Sequence, residues 1–169
     1  MEGITVKNAL KNHIPMLTKF CADVFDSITS TRDRLPGPVE NLSKLIYMCA
    51  YQKDPTRVYA AVGDGLFVRL FCPALFQFIS YGVAPEGTVL SADVKAVLLV
   101  VAKVLQNLSL GVYFDYSIDP DLVPFNNFID NNTEVFTEYC LTFKVCDRKI
   151  FFFYLLFFLA VTRPSLCCF

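Results

Sequence analysis

Apolar residues recur along most of this chain at intervals of three and four and almost nowhere alternate, a pattern that commits the backbone to helices. Leu17, Phe20, Val24, Phe25 and Ile28 fall on one stripe of a helix expected from about Pro15 to Thr31, with the proline at its start. Arg34-Leu35-Pro36-Gly37-Pro38 reads as a turn. Val39, Leu42, Leu45, Ile46 and Cys49 repeat the period to about Tyr51, so these two helices should pair. Asp54-Pro55 offers an N-cap and a first-turn proline to a segment running through Val58, Ala61, Val62, Leu66 and Leu70, which Pro73 is expected to end or kink. Gly82, Pro85 and Gly87 mark residues 76–90 as a loop. Ser91 can then cap a helix dense in apolar residues from Val94 to Leu108, with Asp93 well placed against its dipole, and such a helix belongs at the centre. After the break at Asp119-Pro120-Asp121, the positions Phe125, Phe128, Ile129, Phe136 and Cys140 outline one more helix. No Asn-Gly hairpin and no sustained alternation occur, and the chain reads as all-α.

A length of 169 residues suffices for one domain with a real core, since roughly 68 to 75% of the unfolded surface can be buried at about this size. Formal net charge is −1 and the sequence pI about 5.8, which argues against nucleic acid as a partner. The amino terminus lacks the basic-then-apolar pattern of a secretory signal, so a cytoplasmic location with reduced cysteines is expected. Cys21, Cys49 and Cys72 stand among apolar residues and read as buried thiols. No Cys-x-x-Cys pair occurs, and the single histidine, His13, completes no recognisable ligand set, so no metal and no other cofactor is implied. No Gly-rich phosphate loop or nucleophile elbow appears either, which leaves nothing to build an enzyme's active site on.

The tail differs in kind. Residues 150–161 read Ile-Phe-Phe-Phe-Tyr-Leu-Leu-Phe-Phe-Leu-Ala-Val without a break. As a helix this run would reach about 18 Å, against a hydrocarbon thickness of about 30 Å, too short to span a bilayer. Two readings stay open: a peripheral membrane contact, to which acylation of Cys167 or Cys168 could add, or an unnatural end such as translated non-coding sequence. An apolar run with no polar face is expected to drive membrane partition or aggregation rather than to join the core.

Two ordered motifs carry more information than the periodicity. Gly65-Leu66-Phe67-Val68-Arg69-Leu70-Phe71-Cys72-Pro73-Ala74-Leu75 resembles the signature of Ras GTPase-activating (RasGAP) domains, whose core reads Phe-Leu-Arg, two or three mostly apolar residues, then Pro-Ala-Ile. Downstream, Ala102-Lys103-Val104-Leu105-Gln106-Asn107-Leu108 resembles that family's Ala-Lys-Val-x-Gln-Asn-Leu helix at nearly the expected distance. Met16 to Ser30 resembles a family helix ending in Ile-x-x-Ser, and Asn126-Asn127-Phe128-Ile129 resembles its Asn-x-Phe-Ile element. The resemblance covers about Leu10 to Phe143 and implies a multi-helix orthogonal bundle over residues 1–143, followed by a divergent tail over 144–169.

The resemblance also implies roles. Arg69 matches an arginine that supports the loop carrying a catalytic arginine finger, and Val68 matches a residue in apolar contact with the GTPase switch region. Lys103 and Gln106, one turn apart, match positions lining the GTPase-binding groove. On the residues alone, Arg69 also reads as a structural pairing residue whose five donors forbid burial without partners, and Lys103 and Gln106 as a solvated helix face. The implied partner is a Ras-family small GTPase. The finger itself, worth on the order of 10³ to 10⁵ in rate, belongs to a loop upstream of this sequence, so the chain is expected to be a fragment that does not accelerate hydrolysis. Arg163-Pro164 lies on the wrong side of the motif to replace it. Contact positions depart from the family pattern too: Leu110 stands where an asparagine is usual, Ala96 where the central helix usually opens with a basic residue, and no Gly-x-Lys-Glu segment lies between Gly111 and Asp119.

Overall fold

A computed structural model describes residues 2–144, with side-chain surroundings from His13 onward; the apolar run at 150–161 and Arg163 lie outside the described residues. Helix α1, Glu2–Ser30, does not start at Pro15 but runs through it. A proline inside a helix forfeits one hydrogen bond, and the helix formers on both sides, Ala9, Leu10 and Lys11 before it and Met16 and Leu17 after, favour continuation nonetheless. A 3-10 turn over Arg32–Arg34 leads into α2, Gly37–Lys53, which has a proline in its first turn. The Asp54 carboxylate accepts hydrogen bonds from the Thr56 amide (3.0 Å) and hydroxyl (2.6 Å), starting the 3-10 turn Pro55–Arg57 at the expected cap.

From there the backbone stays helical through α3, Val58–Gly63, a π-helical turn, Asp64–Phe71, and α4, Cys72–Phe76. Pro73 neither ends nor breaks this run. A proline in an α-helix clashes with the carbonyl four residues back, and the wider π turn just before Pro73, closed by the Cys72 amide donating to the Phe67 carbonyl, opens the space that clash would need. Residues 77–91 form the expected loop, and the Ser91 hydroxyl accepts from the Val94 amide (3.3 Å) to cap α5, Ala92–Leu110. Gly111, at φ 66°, terminates α5 in the left-handed conformation that glycine adopts without strain. After a 3-10 turn at Val123–Phe125, α6 spans Asn126–Leu141. No strand occurs among the described residues, and the all-α reading holds.

Phe67 is the hub of the core. Its ring centroid lies 6.2 Å from Phe25 on α1, 5.4 Å from Phe71, and 5.5 and 6.2 Å from Phe136 and Tyr139 on α6. One π-turn side chain therefore ties three elements together, in the tilted and edge-on arrangements aromatic rings prefer. Two glycines permit the close packing around it. A Cβ on Gly63 would collide with the Ser109 carbonyl of α5, and one on Gly65 would lie 2.6 Å from the Ile46 methyl of α2.

Three expectations about burial change. On α1 the buried seam is Leu17, Cys21 and Phe25, at strict four-residue spacing, which leaves Phe20 exposed. On α2 the inward residues are Ser43 and Tyr47, while Leu42 and Cys49 face out. The Ser43 hydroxyl donates to the Val39 carbonyl (2.8 Å), so a small polar residue satisfies itself at the contact, while Val39 and Ile46 of the expected stripe do pack against the core. Cys49 is consequently an exposed thiol. Cys21 and Cys72 are buried as expected, and burial pushes both up to about 12 from the ordinary thiol value.

Candidate binding face

The π turn and α5 lie side by side and antiparallel. Gly63 abuts Ser109 near one end, and at the other the Cys72 thiol donates to the Ala102 carbonyl at 3.4 Å. Between these two points, interpolation along the antiparallel pair sets Val68 at about the level of Leu105 and Arg69 at about that of Val104. The two motif segments are thus packed against each other.

Val68 is half-buried beside the fully buried Phe67, but Arg69 is exposed and not set in an apolar face. Its Nε donates to Asp64 Oδ2 at 2.8 Å. Residues five apart diverge by about 140° on an α-helix, with its 3.6 residues per turn, whereas a π turn brings them nearly into line. The widened turn that accommodates Pro73 is therefore also what pairs Arg69 with Asp64. Both side chains are exposed, so the pair orients the guanidinium more than it stabilises the fold.

One side of α5 is core: Val101, Ala102, Val104, Leu105, Leu108 and Ser109 are buried. The opposite stripe, at the helical spacing Leu99, Lys103, Gln106 and Leu110, is exposed except for the half-buried Gln106. Lys103 Nζ donates to Asp119 Oδ1 at 2.7 Å, reaching across to the loop that follows α5. That loop is held at several points. The Val112 amide donates to the Asn107 carbonyl (2.9 Å), closing the end of α5. Asn126 clamps Phe114 with both amide atoms, accepting from its N–H at 2.9 Å and donating to its C=O at 3.0 Å. The Asp115 carboxylate accepts from the Ser117 amide and hydroxyl, both at 2.6 Å, and these bonds hold its pKa below the usual carboxylate range. Asp119 thus reaches Lys103 from a loop held at Val112, Phe114 and Asp115.

No local pattern in the sequence marks Asp64 and Asp119 as partners. Asp64 sits at a spacing that pairs only on a π turn, and Asp119 is 16 residues from Lys103 with no local pattern linking them. Asn126 stood inside a recognised element, but its grip on the Phe114 backbone required the fold. Among the described residues, no three His, Cys, Asp or Glu side chains converge as metal ligands would.

Together these features define an all-α module in which the two motif segments, a π turn and the central helix, pack side by side. A family model described as GTPase-activator protein for Ras-like GTPase (RasGAP) matches residues 1–110, which include both motifs. The chain is 27% identical over 136 residues to the probable Ras GTPase-activating-like protein ngap of Dictyostelium discoideum, covering 79% of this chain and 15% of that one. It is 26% identical over 144 residues to the inhibitory regulator protein IRA2 of Saccharomyces cerevisiae, covering 83% of this chain and 4% of that one. To IRA1 of the same yeast it is 31% identical over 102 residues, covering 58% and 3%. The chain belongs to the RasGAP family, and it spans a small part of the length of these relatives.

Proposed function

We propose that this chain contacts a Ras-type small GTPase through the face shared by the π turn and α5, with Val68, Lys103 and Gln106 at the contact, and that by itself it does not accelerate GTP hydrolysis. What supports the reading is the antiparallel packing of the two motif segments, with Gly63 against Ser109 and Cys72 against Ala102, together with the exposure of Lys103 and the partial exposure of Val68 and Gln106. Arg69 is exposed and tied to Asp64, and the role assigned to it, support of a finger-bearing loop, is the one that the family resemblance implies.

The second half of the proposal rests on where the arginines among the described residues are. A finger must project into the partner's active site, where it offsets charge developing on the transferring phosphate. Arg32 is engaged on every side: Nε donates to Thr142 Oγ1 (2.8 Å), Nη2 to Glu40 (3.3 Å), and the guanidinium lies 4.3 Å above the centre of the Phe143 ring. Arg34 and Arg57 close 3-10 turns after α1 and α2. A single-turnover GTP hydrolysis assay across several Ras-family proteins tests this. Acceleration should stay below about tenfold, small on the scale of a finger's contribution; a larger effect means that an arginine of this chain does reach the phosphate.

A further inference from the structure

Away from the motif residues, α1, α4 and α5 enclose a groove of about 650 Å³. Three turns of α1 form one wall, through Phe20, Val24, Ile28 and Thr31, at the spacing of a single helical stripe. Leu75 on α4, Phe78 just after it and Leu98 on α5 line the remainder. The lining carries a single charged residue, Asp23, and Lys19 neutralises it at 2.7 Å. Phe20, which the α1 seam leaves out of the core, is 39% exposed, and Val83, on the loop that closes the groove, is 68% exposed. A concave apolar surface of this size is characteristic of a binding site.

We infer that residues 150–161 of this same chain dock in the groove as a helix lying along α1, which makes the apolar tail part of the folded module rather than a membrane contact. The route of the chain favours this occupant. Phe143 lies under Arg32, whose guanidinium is 4.3 Å from its ring centre and whose Nε donates to Thr142 Oγ1 at 2.8 Å. Thr31 and Leu35, just before and just after Arg32, line the groove. The chain therefore leaves α6 within the reach of one arginine side chain from that end of the groove. Residues 145–149 can add about 17 Å when extended, enough to bring Ile150 to it. The lengths agree as well: from Thr31 back to Phe20, α1 advances about 17 Å, and the run at 150–161 as a helix measures about 18 Å. Because the run has no polar face, a stripe such as Phe151, Leu155 and Phe158 offers anchors at the spacing a helix-binding groove accepts. Partition or aggregation is the expectation for such a run when no surface of its own chain receives it, and a wall built from three separate helices leaves no mark in periodicity. The inference is independent of GTPase binding, since none of Val68, Lys103 and Gln106 lines the groove.

Hydrogen exchange of the full chain, read by mass spectrometry on peptides from 150–161, tests this at several protein concentrations, with and without phosphatidylcholine vesicles. A helix this short is marginal alone in water, so slow exchange requires that it be packed. Exchange across 150–161 should be slower than in an unstructured chain by about tenfold or more, whatever the concentration and whether or not vesicles are present. Phe20→Asp and Val83→Asp, both at exposed positions in the groove, should each reduce that protection by about threefold or more, as a charge set in an apolar contact does, and should leave exchange in α6 unchanged. A tail that exchanges freely while α5 and α6 are protected overturns the inference. Protection that appears only with vesicles assigns the run to a membrane, and protection that appears only in dimers or aggregates assigns it to contacts between copies; either result overturns it. Protection that survives both substitutions places the tail on another surface and overturns it as well.

Discussion

Arg69 and Lys103 lie close in level along the paired helices, yet they are held by opposite means. Arg69 is placed by backbone: its partner Asp64 is five residues away, and the π turn that aligns them also carries Phe67 into the centre of the core. Lys103 is placed by a side-chain tether to Asp119, on a loop outside the core. The π-turn side of the face is therefore coupled to the stability of the whole molecule, while the α5 side can be altered without disturbing the fold. Geometry near Val68 is fixed by folding itself. Geometry near Lys103 depends on one half-exposed ion pair and a clamped loop.

Substitutions on the two sides should separate along this line. The largest effect is expected for Phe67→Ala, which empties the position where rings from α1 and α6 meet; thermal or denaturant unfolding should show a loss of about 3 to 5 kcal/mol. A loss below about 1 kcal/mol would mean that the π turn is not anchored by this ring and that the two sides do not differ as argued. The smallest is expected for Asp64→Asn, since the Arg69 pair is exposed on both sides: stability should change by no more than about 1 kcal/mol. If Asp64→Asn costs as much as Phe67→Ala, the ion pair and not the core ring holds the turn.

Much of this arrangement was legible before any coordinates, and what was missed has physical causes. Caps act over two or three residues, so Asp54 before Thr56 and Ser91 before Val94 could be recognised from neighbours alone. The two motifs are local as well, and so Val68, Arg69, Lys103 and Gln106 could be singled out. Proline misled as a helix start at Pro15 and as a helix end at Pro73, where a kink was the other expectation. Pro15 and Pro73 resemble boundaries in a sequence, but whether a helix survives a proline depends on the turn before it and on what packs around it. The inward face of α2 depended on Gly65 admitting Ile46 and on Ser43 satisfying its own hydroxyl, neither of which periodicity can register. Partners that need a π turn or a distant loop, Asp64 and Asp119, were beyond any spacing rule for regular helices.

The central claim is that a Ras-type GTPase is contacted on the α5 side of this face, at a place whose alteration leaves the fold intact. A pull-down with GTP-loaded Ras-family proteins, comparing the unaltered chain with Lys103→Glu, tests it most directly. The substitution sets two carboxylates against each other at Asp119 and reverses the charge at the proposed contact, so binding is expected to drop by about fivefold or more while the melting curve shifts by no more than an exposed pair is worth, about 1 kcal/mol. Retention that is the same for both proteins would contradict the account and place the GTPase on another surface.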